Sequence, residues 1–119
     1  LAALRGPQDC VEQMRRVFDA RRHYMVQRIE KMPLLTCKEP LGAFYVFVNA
    51  GQACGRHFRG TLINSADELA AQLLEHYRVA VVPGRGFGAP TYLRLSYATS
   101  EENIRKGLDR LEAFLQELQ

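Results

Sequence analysis

Val79-Ala80-Val81-Val82-Pro83-Gly84-Arg85-Gly86-Phe87-Gly88-Ala89-Pro90-Thr91-Tyr92-Leu93-Arg94-Leu95-Ser96-Tyr97-Ala98 reads as two strands with only a turn-rich loop between them. Val79 to Val82 is a short apolar run. From Thr91 to Ala98, Leu93, Leu95 and Tyr97 alternate with Tyr92, Arg94 and Ser96, the two-residue period of a strand with unlike faces. Upstream, Leu41-Gly42-Ala43-Phe44-Tyr45-Val46-Phe47-Val48 is apolar throughout and reads as a strand covered on both faces. Helical patterns surround these runs, so the expected fold is α+β, a small mixed or antiparallel sheet covered by helices.

The first helical pattern is the longest. Gly6-Pro7-Gln8-Asp9 opens it, with Pro7 in the first turn or a capping box of Asp9 and Glu12 as alternative starts. Val11, Met14, Phe18, Met25, Ile29 and Met32 then recur at spacings of three, four and seven, and Pro33 ends the run. This predicts a helix of about 25 residues, long enough to bridge two domains. Asn49 to Ile63 lacks either periodicity and reads as a long loop. Ser65 with Glu68 forms a capping box ahead of Leu69, Leu73 and Tyr77, predicting a helix that ends near Tyr77. Thr99 with Glu102 predicts another cap, after which Ile104, Leu108, Leu111, Leu115 and Leu118 line one side of a final helix. The expected order is α-β-α-β-β-α in a single domain over residues 1–119, with an interdomain helix over 1–33 and an α/β body over 34–119.

The 119 residues suffice for one domain without a metal or disulfide staple, and 47% hydrophobic with 24% charged residues argues against a disordered tail, a rod or a collagen-like repeat. The chain begins at Leu1 rather than at an initiator Met, so it is expected to be a piece of something longer. The net charge of +3 comes from the segment up to Lys38, which holds eight basic residues against four acidic ones. Those charges recur around helical turns with acids among them, which argues against a nucleic-acid surface. Cys10, Cys37 and Cys54 form no C-x-x-C pair, and there is no signal-peptide core, so free thiols in the cytoplasm are expected. No apolar run approaches the ~20 residues of a membrane span.

Most motifs that would carry chemistry are incomplete. Gly84, Gly86 and Gly88 follow a strand but lead into another strand, whereas a dinucleotide fingerprint opens a helix. His23, His57 and His76 have no Asp, Glu or Cys at ligand spacing, so no metal site is predicted. There is no G-x-S-x-G elbow. Arg94 has the most functional content. An arginine in mid-strand between Leu93 and Leu95 must be solvated, paired or left for an anion. Two readings stay open: an edge strand with Arg94 in water or paired to Glu39 or Glu68, and a binding site for a carboxylate or phosphate.

Gly6-Pro7-Gln8-Asp9, Arg21-Arg22, Pro40-Leu41-Gly42-Ala43-Phe44-Tyr45, Val79-Ala80-Val81-Val82-Pro83-Gly84, Phe87-Gly88 and Tyr92-Leu93-Arg94-Leu95-Ser96-Tyr97-Ala98, in that order, resemble the C-terminal part of class I aminotransferases of the aspartate aminotransferase family. These are fold-type I enzymes dependent on pyridoxal phosphate. The resemblance implies a small domain that closes over an active site built mostly by a large domain and a partner subunit of a homodimer. It also implies that Arg94 binds the α-carboxylate of the amino or 2-oxo acid substrate. Arg85-Gly86 departs from the small or polar residues common in the family's loop, so no substrate role passes to Arg85. The resemblance places the Schiff-base lysine and the cofactor's other ligands upstream. Neither a catalytic nor a cofactor-binding residue is therefore expected among these 119, and the chain alone is expected to be inactive. The alternatives are a related pyridoxal-phosphate enzyme, such as a β-lyase or an aminocyclopropane-carboxylate synthase-like protein, and a non-catalytic module that binds a small carboxylate or a protein.

Overall fold

A computed structural model describes all 119 residues. Helices α1 (Ala2–Arg5), α2 (Asp9–Ile29), α3 (Ala66–Tyr77) and α4 (Glu101–Gln116) surround strands β1 (Thr36–Cys37), β2 (Tyr45–Asn49), β3 (His57–Phe58), β4 (Thr61–Leu62), β5 (Val82–Pro83) and β6 (Tyr92–Ser96). The fold is α+β. The main sheet runs β1-β2-β6-β5 and every pairing in it is antiparallel. β6 is therefore central, and Arg94 stands between Phe47 of β2 and Val82 of β5 in the register.

One face of the sheet is closed. Val46, Val48, Leu93 and Leu95 point into a single core with Met25, Val26 and Ile29 of α2, Leu69 and Leu73 of α3, and Ile104, Leu108, Leu111 and Leu115 of α4. The other face carries Tyr45, Phe47, Asn49, Tyr92 and Arg94, all half-buried, and no helix covers it. Alternation along β6 follows the sequence, whereas β2 does not start at Leu41 and is not covered on both sides. Leu41 is 97% exposed and Phe44 49% exposed, because the chain turns at Ala43, which sits at φ +65°, before the strand begins.

Helix α2 has 21 residues and ends at Ile29 rather than near Pro33. Tight bonds from the Lys31 amide to the Arg28 carbonyl and from the Met32 amide to the Ile29 carbonyl roll the chain back, which buries Met32 and Leu35 in the core. Its start uses neither predicted device: Gln8 precedes the first turn without a side-chain cap, and Glu12 turns outward to Arg15 and Arg16. The helix is continuous, buried at Met25, Val26 and Ile29 and exposed at Val11, Met14 and Val17.

Asn49 to Ile63 is more ordered than a loop. A 3-10 turn at Gly51–Ala53 leads to a hairpin of β3 and β4, closed by Arg59 and Gly60 at φ +49° and +84°. Phe58, 1% exposed, anchors it against Phe114 at 4.8 Å between ring centroids. The Ser65 cap holds as expected, its Oγ accepting from the Glu68 amide while the Glu68 carboxylate accepts from the Asn64 amide. For α4 the cap is Ser100, not Thr99: Ser100 Oγ accepts from the Asn103 amide, and Thr99 Oγ1 takes the Asn103 side chain. The strand expected over Val79 to Val82 is cut back: β5 pairs only through Val82 and Pro83, because Val79 still bonds to the Leu73 carbonyl of α3 and packs with Val81 against the core before the chain reaches the sheet.

Candidate functional site

The open sheet face is built by two facts of sequence. Strand alternation puts Tyr45 and Phe47 of β2 beside Tyr92 and Arg94 of β6, and the Pro83–Gly84 turn brings Phe87 over their edge. Gly84 has no alternative there: a Cβ would meet the Ala89 carbonyl oxygen at 2.2 Å and Tyr92 Cβ at 2.9 Å. Gly88 leaves the 3-10 turn at φ +74°. Arg85 in the same turn donates from Nε to Asp67 of α3 at 3.1 Å, an exposed pair that ties the loop to the helix.

Arg94 is held by rings rather than by acids. Its guanidinium carbon lies 5.3 Å from the Tyr45 ring centre and 5.0 Å from that of Phe87. Phe47 stacks on Tyr92 at 4.8 Å and meets Phe87 edge-on at 6.1 Å. Tyr45, Phe47, Phe87 and Arg94 together line a hollow of about 150 Å³. The arginines in ion pairs are Arg15, Arg16, Arg22, Arg28, Arg59 and Arg85, and Arg94 joins none. β6 is central rather than an edge strand, and neither Glu39 nor Glu68 takes Arg94, so its guanidinium is left to water or to an anion. A half-buried guanidinium with its hydrogen-bonding edge free is matched chemically to a planar anion with two oxygens.

A larger trough of about 620 Å³ continues across the same face, bordered by Thr36, Lys38, Glu39, Asn49 and Tyr92 among others. Behind the sheet, a groove of about 150 Å³ between α2, α4 and Val79 to Val81 contains no titratable side chain. His23, His57 and His76 stay apart, and no three His, Cys, Asp or Glu side chains gather as a metal cluster. His76 packs beside the Phe58 ring at 5.2 Å. All three cysteines are free, and burial raises the thiol pKa of Cys37 and Cys54. No helix is long and apolar enough to cross a membrane.

The basic excess of the first segment is largely absorbed locally. Arg15 and Arg16 share Glu12, whose carboxyl they hold down at about 2. Arg28 reaches Asp109 at 2.7 Å and Glu112 at 3.1 Å on α4. Arg22 is the most enclosed of these, donating to Asp19, to Glu39 at 2.6 Å and to the Pro40 carbonyl at 2.9 Å. Sequence reasoning found Arg94 but missed the rings around it. The signal was the i, i+2 spacing of Tyr45 and Phe47, hidden in a run where Val46 between them and Phe44 and Val48 beside them are apolar too.

Comparison with known proteins finds relatives of this chain. The family model described as aminotransferase class I and II matches residues 1–111. The aspartate aminotransferase of Geobacillus stearothermophilus is 43% identical over 116 residues, covering 98% of this chain and 28% of that protein. Among solved structures, the aspartate aminotransferase of Rhizobium meliloti matches with a TM-score of 0.95 at 37% identity, over 99% of this chain and 30% of that one. An alanine aminotransferase from Pyrococcus furiosus matches with a TM-score of 0.85 at 26% identity, over 98% of this chain and 28% of that one. The chain thus spans about 28% of the length of the curated relatives it matches.

Proposed function

The chain belongs to the class I and II aminotransferase family, and on that premise we propose that it forms the substrate-carboxylate-binding small domain of a longer, pyridoxal-phosphate-dependent aminotransferase. The observation that carries this reading is the unpaired guanidinium of Arg94, fixed on a central strand between Tyr45 and Phe87. Two parallel N–H···O bonds from such a fork grip an α-carboxylate and set the direction of the bonds at the substrate's Cα. The relatives named above act as aspartate and alanine aminotransferases, which favours amino-group transfer between an amino acid and a 2-oxo acid over a β-lyase reaction.

Pyridoxal phosphate itself does not fit the residues of this chain. Lys38 is the one lysine bordering the open face, and beside it stand Glu39, an acid that a phosphate dianion avoids, and the rings of Tyr45, Phe47 and Tyr92. The cofactor would be held by the remainder of the longer protein, and this chain's part is to bind and orient substrate. In the same reading α2 is the interdomain helix, its exposed Val11, Met14 and Val17 covered by the large domain. The enzyme is a cytoplasmic homodimer, as the resemblance implies, and the three free thiols of this chain suit a reducing compartment.

The test is Arg94→Ala in the full-length enzyme. Loss of a charge-assisted bidentate contact, worth on the order of 2–4 kcal/mol, lowers kcat/KM for amino acids by roughly 30- to 1,000-fold, with bound cofactor unchanged by absorbance. Wild-type kinetics in this variant would remove the role.

A further inference from the structure

We infer that Phe87 is a positioning residue for the carboxylate-binding arginine, acting with Tyr45 to fix the plane of the Arg94 guanidinium. The inference rests on the carboxylate role of Arg94 proposed above and extends it to a residue outside the strand. Arginine is long and flexible, and a bidentate contact requires its fork to lie in the plane of the incoming carboxylate. A neighbouring acid could set that plane, but an acid beside Arg94 would compete with the substrate for the same donors. Here two rings do it instead, at 5.3 Å and 5.0 Å, and rings leave the N–H edge free. Tyr45 belongs to the sheet, so its place is given by β2. Phe87 is different: it is 54% exposed and lies on a 3-10 turn, where an aromatic side chain contributes little to the core. Its position is nonetheless fixed, by the crowded Gly84, by the edge contact with Phe47 and by the Arg85–Asp67 pair. An exposed ring in a braced turn, laid over an unpaired guanidinium, is placed for the arginine rather than for packing.

The experiment uses the full-length enzyme and two substitutions of Phe87. Phe87→Leu keeps an apolar side chain without a π face, and Phe87→Tyr keeps the π face. The quantity read is kcat/KM for an amino acid divided by kcat/KM for the amine that lacks its α-carboxylate. Phe87→Leu is expected to lower this ratio about 3- to 30-fold, chiefly through the KM of the amino acid, and Phe87→Tyr to hold it at the wild-type level. A wild-type ratio in Phe87→Leu, or an equal fall in both variants, overturns the positioning role. Arg94→Ala measured alongside separates the two claims. If it collapses the ratio while Phe87→Leu does not, only the role of Phe87 falls; if it too leaves the ratio unchanged, the carboxylate reading falls and the inference with it.

Discussion

The Tyr97 hydroxyl donates to the Ala43 carbonyl at 3.1 Å, with the Gly42 carbonyl 3.2 Å away, and so a buried phenol holds a residue in the left-handed region. Tyr97 is 1% exposed, burial raises its pKa, and its own amide donates to the Phe44 carbonyl. The turn that leads into β2, and so delivers Tyr45 to the open face, is pinned from the opposite side of the sheet. Tyr97→Phe keeps the packing against Phe18 and removes the hydroxyl. A loss of about 1 kcal/mol in urea unfolding is expected.

Gly84→Ala tests the brace under Phe87 from the backbone side. A Cβ 2.2 Å from a carbonyl oxygen cannot be absorbed by rotating a side chain, so the turn must move. The expected cost is about 1–3 kcal/mol, read as a lower thermal midpoint.

Helix α3 ends at Arg78, which caps it at φ 56° and ψ 39°. An L-residue in that conformation costs roughly 1–2 kcal/mol relative to a right-handed one, partly offset in glycine by the larger entropy of its unfolded chain. Arg78→Gly is expected to raise stability by about 0.5 kcal/mol in the same unfolding assay.

The acid limb of stability should carry the signature of Glu12. Hydrogen bonds from Arg15 and then Arg16 lower its pKa from 4.5 to about 2. A carboxylate depressed in the folded state stabilises above its unfolded pKa, and that contribution is lost as pH falls toward the folded value. Unfolding midpoints measured from pH 5 to pH 2 are expected to fall less steeply in Glu12→Gln than in the parent. Identical slopes would show that the exposed cluster adds nothing.

Much of this molecule is legible in its sequence where periodicity is long. Ile104, Leu108, Leu111 and Leu115 are all buried along α4, Leu118 is buried too although the helix stops at Gln116 before reaching it, and Leu93, Leu95 and Tyr97 all face the core. Arg94 stands out for the same reason, as a charge inside an alternating run. Legibility fails where elements are too short to show a period, as in the two-residue strands β1, β3 and β4, and where an ending depends on a folded-back turn, as at Ile29. The ring sandwich is invisible for another reason. Tyr45 is more than forty residues from Phe87 and Arg94 in the chain, and only the antiparallel register of β2 and β6 with the Gly84 turn makes the three neighbours.

Arg22 stands where α2 leaves the core, between the buried turns at Met25 to Ile29 and the exposed turns at Val11 to Val17. From Asp9 to Val17 the exposed arm runs for roughly 12 Å at 1.5 Å per residue, part of what stretches the molecule to 58 Å along its longest axis. A rigid rod seated at one end behaves as a lever, and Arg22 is bonded at the fulcrum to Glu39 and the Pro40 carbonyl, on the segment that runs on to Tyr45. Tilting the far end by a few degrees moves it by an ångström or more but barely shifts the fulcrum, where the Arg22 bonds and the Phe18–Tyr97 contact join the helix to the turn ahead of Tyr45.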